Sequence, residues 1–316
     1  MTGIRTRFAP SPTGYIHLGN VWIAFLNWLW TRQHGGTVIL RIEDIDRQRC
    51  RGPFVQMLME DLAWLGIDWD EGPEGIWPYG SAVQSLREGE YRSVFDRWHR
   101  EGAVYPCYCS RARLRQISSA PHRGEERPVY DGHCRSLTEE EIRTETKPPS
   151  WRIRMTDTVI SFCDMFMGEQ KRMLHAGSDD FVLFRADGMI AYQLAAAYDD
   201  GAMGVTHVFR GNDLLDSTFY QICLLKKLGF AVPAYGHLPL LVDSGGVRLS
   251  KRQHGITVKE LREAGVTAEE VIGKLLYWAG AVPKGTAVPA EKAVKNIGFS
   301  ECSALRQPQI QIDTDF

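Results

Sequence analysis

Short apolar runs alternate along this chain with loops rich in proline and glycine, and the first alternation is the sharpest. Ile4–Ala9 reads as a short strand, and Pro10–Gly19 as a loop by its prolines and glycines. Val21–Arg32 is apolar almost all round, the pattern of a helix buried on most sides. His34-Gly35-Gly36 stops it, because glycine tolerates the left-handed conformation just past a helix end. Thr37–Ile42 (TVILRI) is a second strand, closing at Glu43-Asp44. Strand, loop, helix, strand is one βαβ unit, whose parallel strands aim their C-terminal ends at the loop. Ligands of open parallel sheets bind outside those ends, and the N–H groups at a helix start suit phosphate.

Further along, Pro53–Leu65 has proline at a helix start and Gly66 at its end, which turns Met57, Leu58 and Leu62 inward. Tyr91–Arg100 is an amphipathic helix closed by Gly102. From about residue 103 to 204 the pattern changes to alternating strands, with a charged helix near Thr138. WRIRM is one strand, and FVLFRADGMIAYQL reads as two strands about an Ala-Asp-Gly turn. The sheet pattern resumes at VTHVFRG, followed by a helix to Leu228 that Asp213, Asp216 and Ser217 are expected to cap. Val258–Ala264 and Ala268–Trp278 are helical, and the polar tail PQIQIDTDF is expected to fray. No internal repeat or low-complexity segment interrupts the chain.

Composition narrows the class. A chain of 316 residues has room for two domains and a buried core. A net charge of -2 excludes a strongly basic protein, so a nucleic acid would be held by local patches such as Arg47, Arg49 and Arg51, or Arg111, Arg113 and Arg115. Seven cysteines and an N-terminus MTGIRTR without an apolar signal core point to a reducing cytoplasm, with cysteines free or on metal. The most apolar run, VWIAFLNWLW, is too short to span a bilayer, so no membrane partner is expected.

Two segments carry candidate chemistry. The first is RFAPSPTGYIHLGN, Arg7–Asn20, which sets a histidine just ahead of the buried helix. The second comes after LPLLV and a turn at Asp243-Ser244-Gly245-Gly246; it reads VRLSKRQHG, Val247–Gly255, and supplies mobile cations for phosphates. Together they resemble the two signature motifs of the class I aminoacyl-tRNA synthetases, and more narrowly of the glutamyl branch. His17-Leu18-Gly19-Asn20 stands at the first signature, with Asn20 where the class pattern has a second histidine. Arg248–Arg252 stands at the second, with Arg252 in place of the class serine, and both replacements are usual in the glutamyl branch. RIEDID (Arg41–Asp46), AYQLA (Ala191–Ala195) and VFRGNDLL (Val208–Leu215) match that branch in the same order.

The resemblance implies an α/β fold: a Rossmann-type parallel-sheet class I synthetase catalytic domain with an inserted zinc-containing α+β acceptor-binding-like domain. It divides the chain into a first catalytic part (1–102), the insertion (103–204), a second catalytic part with the KMSKS-like loop (205–255) and a short helical C-terminal segment without an anticodon-binding domain (256–316). By resemblance, ATP with Mg2+ is cradled by His17, Gly19 and Asn20 and by Arg248, Leu249, Ser250, Lys251 and Arg252. His17 and Lys251 take the catalytic roles, Lys251 on the leaving pyrophosphate. Arg7, Phe8, Ala9, Pro10 and Ser11 hold the amino acid through the loop, and Glu43 pairs with its ammonium group. Arg210 matches a side-chain carboxylate bidentately, and Tyr192 closes the pocket.

In the middle stretch, Cys107-x-Cys109 in a cytosolic chain suggests zinc. Chemistry alone nominates His133 or His122 as fourth ligand, because imidazole outranks phenol. The resemblance instead implies one structural zinc on Cys107, Cys109, Tyr130 and Cys134, through the spacing Tyr-x-x-x-Cys. The chain after Gly255 has room for only two or three helices, so it resembles the truncated paralogues of the glutamyl branch. That implies activation of L-glutamate without tRNA and its transfer to the queuosine base at the wobble position of tRNA(Asp), whose anticodon arm is then the partner of a monomer. The alternatives are a minimal glutamyl-tRNA synthetase charging a terminal adenosine, a nucleotidyltransferase of the same superfamily, and a non-catalytic RNA-binding paralogue.

Overall fold

The computed structural model describes residues 3–50, 52–110, 112–114, 130–247 and 256–313. Strand β1 (Arg5–Phe8) pairs in parallel with β2 (Thr37–Leu40), Arg5 opposite Thr37 and Phe8 opposite Leu40. The helix between them, α1 (Leu18–Gln33), buries Val21, Trp22, Phe25, Leu26 and Leu29 together with Trp28 and Trp30, so nearly every face is covered. It begins at Leu18, three residues before the expected start. His17 is the cap residue, and its carbonyl accepts the N–H groups of Asn20 and Val21. Gly19 and Asn20 therefore lie in the first turn of the helix, not in the loop before it.

A four-stranded sheet has the order β6-β5-β9-β8, made from β5 (Thr158–Asp164), β6 (Gly168–Leu174), β8 (His207–Gly211) and β9 (Ala234–Leu238). Strands β8, β9 and β5 run parallel, while β6 folds back on β5 as a hairpin. The sheet continues towards β1, where Thr206 N–H donates to Arg5 O and Arg5 N–H to Thr206 Oγ1. A separate antiparallel sheet holds β3 (Val104–Cys107), β4 (Ser150–Ile153) and β7 (Val182–Phe184) in that order. The 103–204 stretch thus divides: three of its strands form their own sheet, and the β5–β6 hairpin joins the parallel one.

The helices are α2 (Gly52–Trp64), α3 (Glu88–Arg100), α4 (Glu139–Thr144), α5 (Tyr192–Ala202), α6 (Leu215–Leu228), α7 (Val258–Glu263), α8 (Ala268–Trp278) and α9 (Ala290–Asn296). On α2 it is Leu58, Met59 and Leu62 that are buried, with Met57 only half-buried. None is long and apolar enough to cross a membrane among the described residues.

Three expectations are corrected. The strand expected in GMIAYQL is reduced to one bridge, Ile190 to Phe184, after which α5 starts at Tyr192; the run LAAAYDD is rich in good helix formers and buries its alanines. No side chain caps α6, whose cap position is Leu214, because a 3-10 turn over Asn212–Leu214 feeds straight into it. The tail does not fray at its start. Strand β11 (Gln309–Gln311) pairs in parallel with β10 (Leu240–Val242), and the alternation in QIQI buries Ile310 and Ile312 while its glutamines stay exposed.

Candidate active site

The C-terminal ends of β1, β2 and β8 open on a cleft of about 330 Å³. Every described residue expected to touch ATP or the amino acid lines it: Arg7, Phe8, Ala9, Pro10, Ser11, His17, Gly19, Asn20, Glu43, Tyr192 and Arg210. Arg248, Leu249, Ser250, Lys251 and Arg252 lie outside the described residues. The chain on the far side of that segment returns to the first signature: Leu18 N–H donates to Ile256 O and Val258 N–H to Ile16 O. The start of α1 carries no acidic side chain in its first turn, so its positive end faces the cleft undiluted.

The floor of the cleft is a charge network. Arg7 donates from Nε to Asp200 Oδ1 at 3.1 Å and from Nη1 to Phe209 O at 3.0 Å. Arg41, fully buried, donates to the same Asp200 oxygen at 2.7 Å and to Glu43 Oε1 at 3.1 Å. Burial opposes ionisation of Asp200, yet the guanidinium groups of Arg7 and Arg41 hold its carboxyl below its ordinary value. Burial pushes the Glu43 carboxyl the other way, above its ordinary value, against the pull of Arg41 and Arg7. Glu43 N–H also donates to Pro10 O, which ties the end of β2 to the signature loop.

Arg210 differs from Arg7. It is buried and donates to His237 Nε2 at 3.1 Å, Gln221 Oε1 at 2.6 Å and Thr218 Oγ1 at 2.5 Å. Among the described residues, none of its hydrogen-bond partners is a carboxylate. Asp200 lies within electrostatic range but makes no hydrogen bond to it, so this buried guanidinium has no directly paired carboxylate while it borders an open cleft. The arrangement is suited to an anionic ligand group. Tyr192, the first residue of α5, is exposed at the rim.

Residues not singled out for the cleft complete it. Trp22, expected only as core, donates its indole N–H to Pro239 O at 3.0 Å and lines the wall beside Leu240. Asp213, expected as a helix cap, lines the cleft instead. Its place inside VFRGNDLL was the signal that could have found it. Gly211, two residues before it, packs closely on that side chain: a Cβ there would fall 2.5 Å from Asp213 Oδ1, so the carboxylate would have to move.

A second cluster lies apart from the cleft. The sulfur atoms of Cys107, Cys109 and Cys134 lie within 4.8 Å of one another, those of Cys109 and Cys134 at 3.6 Å. Thiolates on a tetrahedral zinc at about 2.3 Å stand about 3.8 Å apart, so the three fit a zinc ion. Tyr130 is buried with them, its hydroxyl accepting Cys134 N–H at 2.9 Å. His133 is exposed and not part of the cluster, and His122 lies outside the described residues. Arg152 stacks 3.9 Å from the centre of the Tyr130 ring and donates to Cys107 Sγ at 3.2 Å. Burial opposes it, but Arg152 holds the Cys107 thiol below its ordinary value.

A parallel sheet whose signature loop runs into a buried helix, with the chain at Ile256–Val258 returning beside that helix's start, is the frame of a nucleotide-activating synthetase domain. The chain belongs to the family described as tRNA synthetases class I (E and Q), catalytic domain, which it matches over residues 3–297. Within that family it is 50% identical over 292 residues to the Glutamyl-Q tRNA(Asp) synthetase of Symbiobacterium thermophilum, covering 91% of this chain and 90% of the relative. It is 49% identical over 283 residues to the protein of the same name from Nitratidesulfovibrio vulgaris, covering 89% and 87%. Against the Glutamate--tRNA ligase 2 of Syntrophus aciditrophicus the identity is 39%, over 90% of this chain but 59% of the ligase. The crystal structure of a glutamate tRNA ligase from Elizabethkingia meningosepticum in complex with its amino acid superposes with a TM-score of 0.77 at 30% identity, over 95% of this chain and 65% of that one.

Proposed function

We propose that this chain activates L-glutamate with ATP and Mg2+ to glutamyl-AMP without tRNA, and then transfers the glutamate to the queuosine base at the wobble position of tRNA(Asp). The observation that carries the amino acid is Arg210, a buried guanidinium at the cleft with no carboxylate partner among the described residues. A side-chain carboxylate supplies a directly hydrogen-bonded anion. The likeness to the two Glutamyl-Q tRNA(Asp) synthetases, at about half identity over nine-tenths of each chain, supports the acceptor.

In this reading the α-carboxylate oxygen attacks the α-phosphorus, the bond to the bridging oxygen breaks, and pyrophosphate leaves with the metal. Little covalent work falls to the protein; it positions the reactants and neutralises charge. His17, Gly19 and Asn20 hold the nucleotide at the start of α1, and Arg248, Leu249, Ser250, Lys251 and Arg252 meet the phosphates, with Lys251 on the leaving group. The loop Arg7–Ser11 holds the amino acid, Glu43 its ammonium group, Arg210 its side chain, and Tyr192 closes the pocket. A cyclopentene hydroxyl of queuosine then attacks the mixed anhydride, its proton leaves and AMP departs, giving an ester. One structural zinc sits on Cys107, Cys109, Cys134 and Tyr130, and the protein acts as a cytoplasmic monomer, gripping the anticodon arm through the 103–204 insertion.

The test uses labelled glutamate with tRNA(Asp) carrying queuosine, tRNA(Asp) lacking it, and tRNA(Glu), followed by nuclease digestion. Label on the anticodon fragment of the first RNA alone is the expected result. Label on the terminal adenosine of tRNA(Glu) overturns the acceptor in favour of a minimal glutamyl-tRNA synthetase. Pyrophosphate exchange that needs glutamate but also needs added tRNA overturns the first half.

A further inference from the structure

Behind Arg210 the sheet carries two more buried polar groups. Asp164 ends β5 opposite Tyr235, His237 lies two residues further along β9 and Arg210 in β8, so three adjacent strands bring them together on one face. Arg210 and His237 are register partners. Asp164 Oδ2 stands 2.6 Å from His237 Nδ1, and both of its oxygens accept the His237 backbone N–H at 3.2 Å. Asp164 is held in turn by the N–H groups of Phe166 and Met167, each at 3.0 Å. The side chains of both Asp164 and His237 are wholly excluded from solvent.

The direction of each hydrogen bond is set by the donors. A guanidinium N–H can only donate, so the His237 Nε2 that faces Arg210 Nε accepts. The ring proton is then on Nδ1, aimed at Asp164. The carboxylate fixes the tautomer, and the tautomer gives Arg210 an acceptor. Burial supports the neutral ring, keeping the His237 pKa below its ordinary value; Arg210 adds to this and Asp164 opposes it. Of the five N–H groups of Arg210, Nε goes to His237, one on Nη1 to Gln221 and one on Nη2 to Thr218. One N–H remains on each terminal nitrogen for a carboxylate to accept.

We propose that Asp164 and His237 form a positioning relay that sets the guanidinium of Arg210 for the side-chain carboxylate of the substrate and thereby favours glutamate over its amide. The inference rests on the glutamate reading above. With Nε, one N–H of Nη1 and one of Nη2 anchored, two N–H groups are left for the ligand. An amide offers them a single acceptor and turns its own NH2 against a donor surface. With Nε released, the guanidinium is held only through Gln221 and Thr218, and its setting towards a carboxylate is weakened. Neither Asp164 nor His237 lines the cleft, so both act through Arg210.

The experiment measures tRNA-free ATP–pyrophosphate exchange against glutamate and glutamine for the wild type, His237→Phe, His237→Gln and Asp164→Asn. His237→Phe keeps bulk but removes the acceptor; the KM for glutamate is expected to rise roughly 10- to 100-fold, from the loss of a hydrogen bond to a charged group, with kcat little changed. The preference for glutamate over glutamine should shrink with it. His237→Gln, whose amide oxygen can accept from Nε, should recover most of the affinity. Asp164→Asn retains an acceptor for Nδ1 and should show a smaller rise. A glutamate KM indifferent to His237→Phe overturns the relay alone. So does a joint fall of kcat and thermal stability that His237→Gln does not rescue, since that marks a purely structural pair. A wild type whose exchange does not depend on glutamate overturns the glutamate reading, and the relay with it.

Discussion

Replacing Arg210 by glutamine is the most direct perturbation, because this side chain differs electrostatically from the other arginine that lines the cleft. Arg7 is neutralised within the protein by Asp200 at 3.1 Å, whereas Arg210 has only neutral hydrogen-bond partners. If the two N–H groups left over meet the side-chain carboxylate, their loss removes two charge-assisted hydrogen bonds of ~1.5–3 kcal/mol each. The incoming carboxylate is also left buried without a counter-charge, and breaking such pairs costs about 3–5 kcal/mol. At ~1.4 kcal/mol per decade, glutamate binding should weaken by roughly two to three and a half decades.

Which kinetic constant moves is also determined. The side-chain carboxylate is remote from the reacting carboxyl and phosphorus, so its contact is made equally in the ground and transition states. The KM for glutamate should rise while kcat and the KM for ATP hold. The assay is exchange against glutamate at saturating ATP, with thermal unfolding alongside. Without ligand the melting temperature should stay close to wild type, since the variant also sheds a buried charge that has no hydrogen-bonded carboxylate. The upward shift that glutamate gives the wild type by mass action should vanish. A KM that moves less than about tenfold, or a kcat that collapses at constant KM, refutes the assignment of Arg210 to the side chain.

Other predictions concern the support of the site. Asp200→Asn leaves Arg7 and Arg41 facing each other without their shared carboxylate, so unfolding should cost about 3–5 kcal/mol less, read from denaturant melts; unchanged stability would mean that the network is not coupled. Because the folded Asp200 carboxyl lies below its ordinary value, its stabilisation is present above about pH 4 and is lost as the pH falls through the folded value, so the variant should show a flatter acid limb. Cys134→Ser should abolish bound zinc by metal analysis and Tyr130→Phe should weaken it, with the parallel sheet still folded; zinc retained in Tyr130→Phe but lost in His133→Ala would move the fourth ligand to His133. Ile310→Ala should destabilise the protein by about 2–4 kcal/mol if β11 is part of the core, and a melting point unchanged by it would mean that the tail is dispensable.

The physical basis of legibility separates the elements clearly. The first βαβ unit was readable because each part announced itself locally: the Pro/Gly loop, a helix apolar on every side, and Gly35 at φ +61 just past its end. The cleft residues were readable because their motifs are contiguous, and the fold brings VFRGNDLL beside RFAPSPTGYIHLGN as parallel strands require. What failed locally was context. GMIAYQL has strand-like residues, but the alanines after it carry it into α5, which buries Asp199 and Asp200 where Arg41, just past β2, and Arg87, just before α3, can meet them. The tail has a period-two alternation too short to count as a strand until β10, some seventy residues earlier, offers it an edge.

The row Asp164–His237–Arg210 shows the same limit from the side of function. Arg210 stood out because its motif was contiguous, yet its partners are contributed by residues 27 and 73 positions apart in the pairs that join them. No window of sequence contains a guanidinium, an imidazole and a carboxylate in line. A parallel sheet with β5 beside β9 beside β8 does, because His237 and Arg210 are register partners and Asp164, opposite Tyr235, shares the face on which Tyr235 and His237 both lie. Asp164 moreover comes from the hairpin within the 103–204 stretch, so the substrate pocket is braced from the segment assigned to the acceptor. If the relay acts as argued, changes in that hairpin should alter amino-acid affinity without touching the cleft, and the two tasks of the enzyme share one strand.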